Sequence, residues 1–255
     1  MNQHRGMNQS TDEKRAVCLT IGGSDSCGGA GIQADLRVFA SLGLHGCSAT
    51  TALTAQNPAN ISRIEAVSLA QLDAEIHAVF DYYDVVAVKT GMLFSVEHIA
   101  LVSALLHELH AGLLVVDPVM ISSSGKRLLQ DGAIDTLQHA LLPMATLITP
   151  NLDEAAVLLG APVTDPARDA CALRERLGCA VLLKGGHADT THLSDVLCDA
   201  DGTIHSFNHP RQSWSAHQRH GTGCRLASAM TGHLALGLPL EIAARQAIDY
   251  LQAAS

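Results

Sequence analysis

The chain has 255 residues, 47% of them hydrophobic, and a formal net charge of −9; this is enough material for one large core, and the acidic balance argues against nucleic acid as a partner. Its longest apolar runs, such as residues 111–116, are too short to span a bilayer. Residues 1–15 are polar and charged, without the apolar stretch of a signal peptide, and read as a disordered tail before a single domain over 16–255.

The predicted elements alternate between short β-rich runs and helical patterns, as a mostly parallel sheet with crossover helices requires. A strand over 17–21 leads through a glycine-dense loop, 22–29, to a helix over 30–42. Strands follow at 47–53 and 64–67, then a helix from 68 to about 82, opened by Ser68-Leu69-Ala70-Gln71 with capping-box spacing. The pattern continues with a strand over 85–89, a helix over 96–109 and a strand over 113–117 that stops at Pro118. A helix over 133–141, a strand over 145–149, helices over 152–159 and 166–177 and a strand over 180–184 come next. Runs 196–198 and 203–207 flank the hairpin turn Asp201-Gly202, and helices over 224–236 and 240–253 close the chain.

Asp117, Asn151 and Lys184 each fall at or just past the end of an apolar strand, the edge where open α/β sheets bind ligands. The first glycine-rich loop opens onto the same edge. It is neither a phosphate-cradling loop ending in Gly-Lys-Ser/Thr nor a dinucleotide fingerprint. It suits close backbone approach to a small ligand with Asp35 one turn into the helix; a plain connection with a solvated Asp35 fits equally. Asn151 to Glu154 has N-cap-to-N3 spacing, which capping alone explains; nucleotide phosphates at Asn151 and a magnesium ion at Glu154 are compatible with it. Lys184 marks either a strand reaching solvent or a cation for phosphate oxygens. The run His220-Gly221-Thr222-Gly223-Cys224 turns tightly into an apolar helix, which points backbone N–H groups and the helix dipole at one spot suited to an anion, with Cys224 as a nearby proton acceptor. Seven scattered cysteines without a C-x-x-C fit a reducing cytoplasm and argue against zinc or a disulfide framework. His107-Glu108-Leu109-His110 lacks metal-protease spacing and reads as an exposed helix end.

Eight runs, in register, carry a family resemblance: Thr20-Ile21-Gly22-Gly23-Ser24-Asp25, Gly28-Gly29-Ala30-Gly31-Ile32-Gln33-Ala34-Asp35, Thr51-Ala52-Leu53-Thr54-Ala55-Gln56-Asn57, Val88-Lys89-Thr90-Gly91-Met92-Leu93, Asp117-Pro118-Val119-Met120, Leu147-Ile148-Thr149-Pro150-Asn151, Leu183-Lys184-Gly185-Gly186-His187 and His220-Gly221-Thr222-Gly223-Cys224. Together they resemble the hydroxymethylpyrimidine/phosphomethylpyrimidine kinases of thiamin biosynthesis, in the ribokinase-like superfamily. The resemblance implies a three-layer α/β/α fold, ATP as donor with Mg2+, and an aminopyrimidine alcohol, then its monophosphate, as acceptor. It also implies that Gly23, Asp35, Thr54, Gln56, Met92 and Val119 line the pyrimidine pocket, with Asp35 and Gln56 pairing with a ring nitrogen or the amino group. Asn151, Lys184 and Gly223 fall at nucleotide positions, Glu154 and Asp117 at metal positions. Gly221, Thr222, Gly223 and Cys224 form the anion hole, Lys184 the phosphate cation and Cys224 the base. A thiol at a helix N-terminus is expected to be partly thiolate at neutral pH. A cytoplasmic homodimer is the ordinary state implied, without membrane or nucleic-acid partners.

The chain departs from the family pattern at Cys27, where serine is usual, at Pro58, where threonine is common, and at residues 121–125, which lack a lysine. Arg225 stands where a small or hydroxyl residue is usual; it either meets phosphate or is solvated. The rival readings are a pyridoxal or pyridoxine kinase of the same superfamily and a non-catalytic ligand sensor on the same fold.

Overall fold

The computed structural model describes residues 15–122, 125–185 and 192–253, and among these residues nine strands are interspersed with nine α-helices. The tail expected over residues 1–15 lies, except for Arg15, outside the described residues, as do Ser123, Ser124 and the Gly186-His187 end of the lysine motif. The strands are β1 Val17–Asp25, β2 His45–Asn57, β3 Asn60–Ala66, β4 Val85–Thr90, β5 Leu113–Val116, β6 Leu147–Ile148, β7 Ala180–Leu183, β8 His192–Cys198 and β9 Ile204–Pro210. The helices are α1 Gly31–Ser41, α2 Leu69–Phe80, α3 Val96–Glu108, α4 Ala133–Thr136, α5 Leu152–Leu159, α6 Pro166–Leu177, α7 Ala216–Arg219, α8 Thr222–Ala235 and α9 Leu240–Ala253.

One sheet runs β3-β2-β1-β4-β5-β6-β7-β8-β9, parallel from β2 to β7 and antiparallel at both ends. Successive side chains of a strand point to opposite faces, and both faces are covered. Leu114 and Val116 of β5 join the core under α2, α3, α5 and α6, whereas Val115 joins the core under α1, α8 and α9. The same alternation holds in β7, where Val181 and Leu183 face one layer and Ala180 and Leu182 the other. These continuous apolar runs are what a doubly covered parallel sheet demands, and the three-layer α/β/α expectation holds. No helix among the described residues is long and apolar enough to cross a membrane.

Strand order reverses at β1, which pairs with β2 on one side and β4 on the other. Ligands bind outside the carboxyl ends of strands at such a switch point. There the first glycines extend β1 instead of forming a loop. Because β2 is long, β1 keeps pairing to Asp25↔Thr54 after β4 has ended at Ile21↔Thr90, with a bulge between Gly22 and Gly23.

Other elements also differ from the pattern. The helix expected over 133–141 is regular only through α4; its next turn, Leu137–Leu141, is wound wide, and Leu142–Met144 is tight. Pro143 lacks an N–H, and its ring crowds the carbonyl four residues back, so the helix cannot continue with regular spacing. Ser68 accepts from the Gln71 N–H, but the Gln71 side chain reaches Glu75 at 2.9 Å, so only half of the expected capping box forms. The hairpin strands β8 and β9 are longer than the local pattern suggested, and α7 was not anticipated.

Candidate active site

Every residue assigned to the site from the sequence lines one cavity of about 860 Å³ at the carboxyl edge of the sheet. That volume is in the range of small-molecule and cofactor sites. Gly23 ends the bulge in β1, Thr54 and Gln56 lie on β2, Met92 follows β4, and Val119 follows β5. The Thr54 hydroxyl donates to the Ser24 carbonyl at 2.8 Å, and Ser26 and Cys27 both donate to the Gln56 carbonyl, at 2.9 and 3.0 Å. Cys27, one of the departures from the family pattern, thus performs the same tethering as its serine neighbour.

The anion turn is built by the start of α8. Gly221 has φ +78°, and a Cβ there would collide with the Gly29 carbonyl, so only glycine lets the two loops meet this closely. No side chain caps α8, which leaves its first-turn N–H groups to face a ligand. Gly223 lies against an ion pair: a Cβ added there would be 3.3 Å from Lys184 Nζ and 3.8 Å from Asp117 Oδ2.

That ion pair joins two strand ends. Lys184 Nζ donates to Asp117 Oδ1 at 2.9 Å, and burial, which would lower the lysine, is outweighed by Asp117 and Glu154, which hold it above its usual value. Asn151 caps α5: its side chain accepts from the Glu154 N–H at 2.8 Å, and the Glu154 carboxylate accepts from the Asn151 N–H at 2.9 Å. The full capping box forms, and it aims Glu154 inward. Burial pushes the Glu154 carboxyl up to about 7; Lys184 opposes the rise and Asp117 adds to it. A buried acid that titrates near neutrality beside a second carboxylate suits a hard cation, which would favour its ionised form. Among the described residues no three His, Cys, Asp or Glu cluster as a metal cage. A cation bound here would draw further ligands from water and phosphate oxygens.

Asp35 sits at the cavity floor with its side chain 1% exposed. Oδ2 accepts from the Thr20 hydroxyl at 2.6 Å and from Lys89 Nζ at 2.8 Å, and Oδ1 accepts from the Ser228 hydroxyl at 2.6 Å. Lys89, also 1% exposed, is raised above its usual value: burial opposes this, but Asp35, Cys224 and Asp117 outweigh burial. The sequence pointed to neither Lys89 nor Ser228; the available signal was a lysine within the otherwise apolar run of β4.

Cys224 lies between these two ion pairs and accepts a hydrogen bond from the Gly31 N–H at the start of α1. The expected partial thiolate is not found. Burial pushes the thiol up to about 11, helped by Asp35 and Asp117; Lys89 and the Gly31 N–H pull the other way and lose. Low-dielectric surroundings outweigh the helix N-terminus. Arg225 is half-buried, and its guanidinium donates to the Gln218 carbonyl at 2.7 Å, strapping α7 to α8. A second unforeseen pair links the two loops: His220 Nε2 lies 2.8 Å from Asp25 Oδ2, and Asp25 also accepts from the Cys27 and Ala30 N–H groups. Burial would raise Asp25, but these donors hold it below the usual carboxylate range. Lys126, next to the segment that lacks the family's lysine, reaches the Ile61 carbonyl at 2.7 Å.

The profile of the phosphomethylpyrimidine kinase family matches residues 25–255. The thiamine biosynthesis bifunctional protein ThiED of Geobacter sulfurreducens is 45% identical over 94% of this chain, which spans 49% of that longer protein. The hydroxymethylpyrimidine/phosphomethylpyrimidine kinase of Rhizobium meliloti is 42% identical, with 94% of this chain and 90% of the relative covered. Among solved structures, phosphomethylpyrimidine kinase from Clostridium difficile superposes with a TM-score of 0.82 at 37% identity, covering 94% of this chain and 99% of the other. An ADP complex of Bacillus subtilis pyridoxal kinase gives 0.83 at 32% identity, covering 92% and 90%.

Proposed function

The chain belongs to the phosphomethylpyrimidine kinase family, and from that premise we propose that it transfers the γ-phosphoryl group of ATP to 4-amino-5-hydroxymethyl-2-methylpyrimidine and then to the resulting monophosphate. The observation that carries this is the uncapped α8 turn, Gly221 to Cys224, lying against the Lys184–Asp117 pair in the cavity that Asp35, Thr54 and Gln56 also line.

The acceptor ring lies between Gly23, Thr54, Met92 and Val119, with Gln56 and Asp35 as polar anchors. A carboxylate offers about four acceptor sites, and Thr20, Ser228 and Lys89 fill three of those on Asp35. The remaining one, on Oδ1, accepts an N–H, which selects the amino group over a ring nitrogen. On the donor side, the N–H groups of Gly221, Thr222, Gly223 and Cys224 face the transferring phosphoryl oxygens. Lys184 brings its charge to them from Asp117, and Asn151 borders the nucleotide phosphates. Glu154 and Asp117 would hold a magnesium ion, which when bound would supply charge neutralisation to the phosphoryl oxygens. The alcohol oxygen attacks phosphorus in line while the bond to ADP breaks. Only the thiolate of Cys224 can take the alcohol proton; burial keeps that form a minor one at neutral pH, and because the alcohol is far less acidic the proton moves late, as the new O–P bond forms. Positioning and charge stabilisation therefore carry most of the rate.

Mass analysis of products from the aminopyrimidine alcohol and MgATP tests this reading. Monophosphate and diphosphate are expected, and ligand binding without any ADP would establish a sensor instead. The similarity to pyridoxal kinase structures supports one further assay, ADP release with pyridoxal, in which the pyrimidine is expected to be the better substrate by kcat/KM.

A further inference from the structure

Lys184 is fixed by more than its partner Asp117. Its own N–H donates to the Pro150 carbonyl at 2.9 Å, where it bridges to Asn151. The next N–H, that of Gly185, donates to Asp195 Oδ1 of β8 at 2.7 Å. A Cβ at Gly185 would collide with the Ser194 carbonyl, so the backbone lies directly on β8. Asp195 is 6% exposed, and its second oxygen lies 3.1 Å from His209 Nε2 on β9. The hydrogen bond to Asp195 raises the imidazole above its usual value, against burial. His209 Nδ1 in turn lies 3.0 Å from the Gln252 amide nitrogen of α9, and Gln252 Oε1 accepts from Gln212 at 2.6 Å. Asp195 and His209 both line the same cavity as Lys184, yet no step of the proposed reaction uses them.

We infer that Asp195, in hydrogen-bond contact with His209, is a positioning residue for the reaction: it fixes the Lys184-Gly185 backbone so that the Lys184 ammonium meets the transferring phosphoryl group. The inference rests on the proposed role of Lys184. The carboxylate holds the peptide that follows the lysine, the Pro150 carbonyl holds the lysine's own N–H, and Asp117 holds its tip. The backbone is thus pinned on both sides of the side chain that must be placed to within a fraction of an ångström. Removing the carboxylate leaves a buried N–H without its partner and frees the turn. A displacement of about 1 Å at such a group costs on the order of a hundredfold in rate.

The test is a double-mutant cycle on kcat and both KM values with MgATP and the aminopyrimidine alcohol. Asp195→Ala is expected to lower kcat by about tenfold to a hundredfold and to leave the KM of the pyrimidine within about twofold, the size of change expected when no contact is lost. Asp195→Asn keeps an acceptor for the Gly185 N–H and is expected to recover most of the loss, which also guards against a folding failure in the alanine variant. In a Lys184→Met background the Asp195→Ala effect is expected to vanish, because both changes remove one function. Multiplicative losses in that background would overturn the inference, as would wild-type kcat in Asp195→Ala or a pyrimidine KM that rises as much as kcat falls. Wild-type turnover by Lys184→Met alone would instead sink the role of Lys184, and this inference with it.

Discussion

Replacing Cys224 by alanine separates the two parts of the proposed chemistry. Burial holds the Cys224 thiol at about 11, so at pH 7 the thiolate is about 10⁻⁴ of the resting population and costs about 5 kcal/mol to form. Only that small thiolate fraction can accept the alcohol proton, which moves late, once phosphoryl transfer is under way. Positioned proton acceptors contribute about 10²–10⁴ in rate, and the late role assigned here places Cys224→Ala near the lower end, about a hundredfold down in kcat. The pyrimidine KM should stay near wild type, since Gly23, Asp35, Thr54 and Gln56 are untouched. The pH profile discriminates further. At saturating magnesium, wild-type kcat/KM should rise by about tenfold per pH unit through and above neutrality, whereas the profile of Cys224→Ala should be flat there. ADP release coupled to an indicator enzyme gives both quantities. Wild-type turnover in the alanine variant, or the same slope in both proteins, would refute the argument that this thiol takes the proton.

Four other outcomes follow from the same geometry. Glu154 titrates at about 7, so magnesium activation should weaken below pH 7, by about tenfold in metal affinity per unit, and Glu154→Gln should abolish that dependence in a magnesium titration. The sign for stability is the reverse of a usual carboxylate. The folded state holds this proton from the ordinary glutamate value of 4.5 up to about 7, so stability falls as pH rises through that window, and Glu154→Gln should gain more in Tm at pH 8 than at pH 5. Gly221→Ala forces a side chain at φ +78° into the Gly29 carbonyl; chemical denaturation should show a loss of about 1–3 kcal/mol, with turnover lost as well. Lys89→Met leaves Asp35 buried without its cation and should cost about 3–5 kcal/mol, most of which the double variant Lys89→Met with Asp35→Asn should restore.

Much of this architecture is legible in the chain because the relevant signals are local. The capping box from Asn151 to Glu154 and the strand ends at Asp117 and Lys184 are short-range patterns, and the sheet then carries them to one edge. Lys89 was not legible for the converse reason. A lysine at the end of a β-run normally marks an exit to solvent, but here α1 covers it and supplies Asp35, 54 residues away. Nothing local encodes that meeting. The same holds for His220 with Asp25, 195 residues apart, and for His209 with Asp195 across a hairpin. The thiol of Cys224 is the instructive failure. Its helix N-terminus is visible in the sequence and argues for a lowered pKa, but the burial that overrides it belongs to the assembled fold.

The two buried lysines show how that fold divides its charges. Lys89 and Lys184 each face a carboxylate, Asp35 at 2.8 Å and Asp117 at 2.9 Å, so the floor beneath the anion turn is close to neutral before any ligand arrives. They differ in access: Lys184 is 13% exposed and Lys89 only 1%. An incoming phosphate can therefore compete with Asp117 for Lys184, and the carboxylate so released is free for a cation. It cannot compete with Asp35 for Lys89, whose charge stays sealed beneath Cys224. Under the proposed mechanism one pair exchanges partners during the cycle while the other remains fixed, holding Asp35 as an acceptor for the ring and biasing the thiol toward the form that takes a proton. Such fixed charges in a water-poor site need no reorganisation at the moment of transfer, so under that mechanism the sealed pair serves the reaction as much as the accessible one.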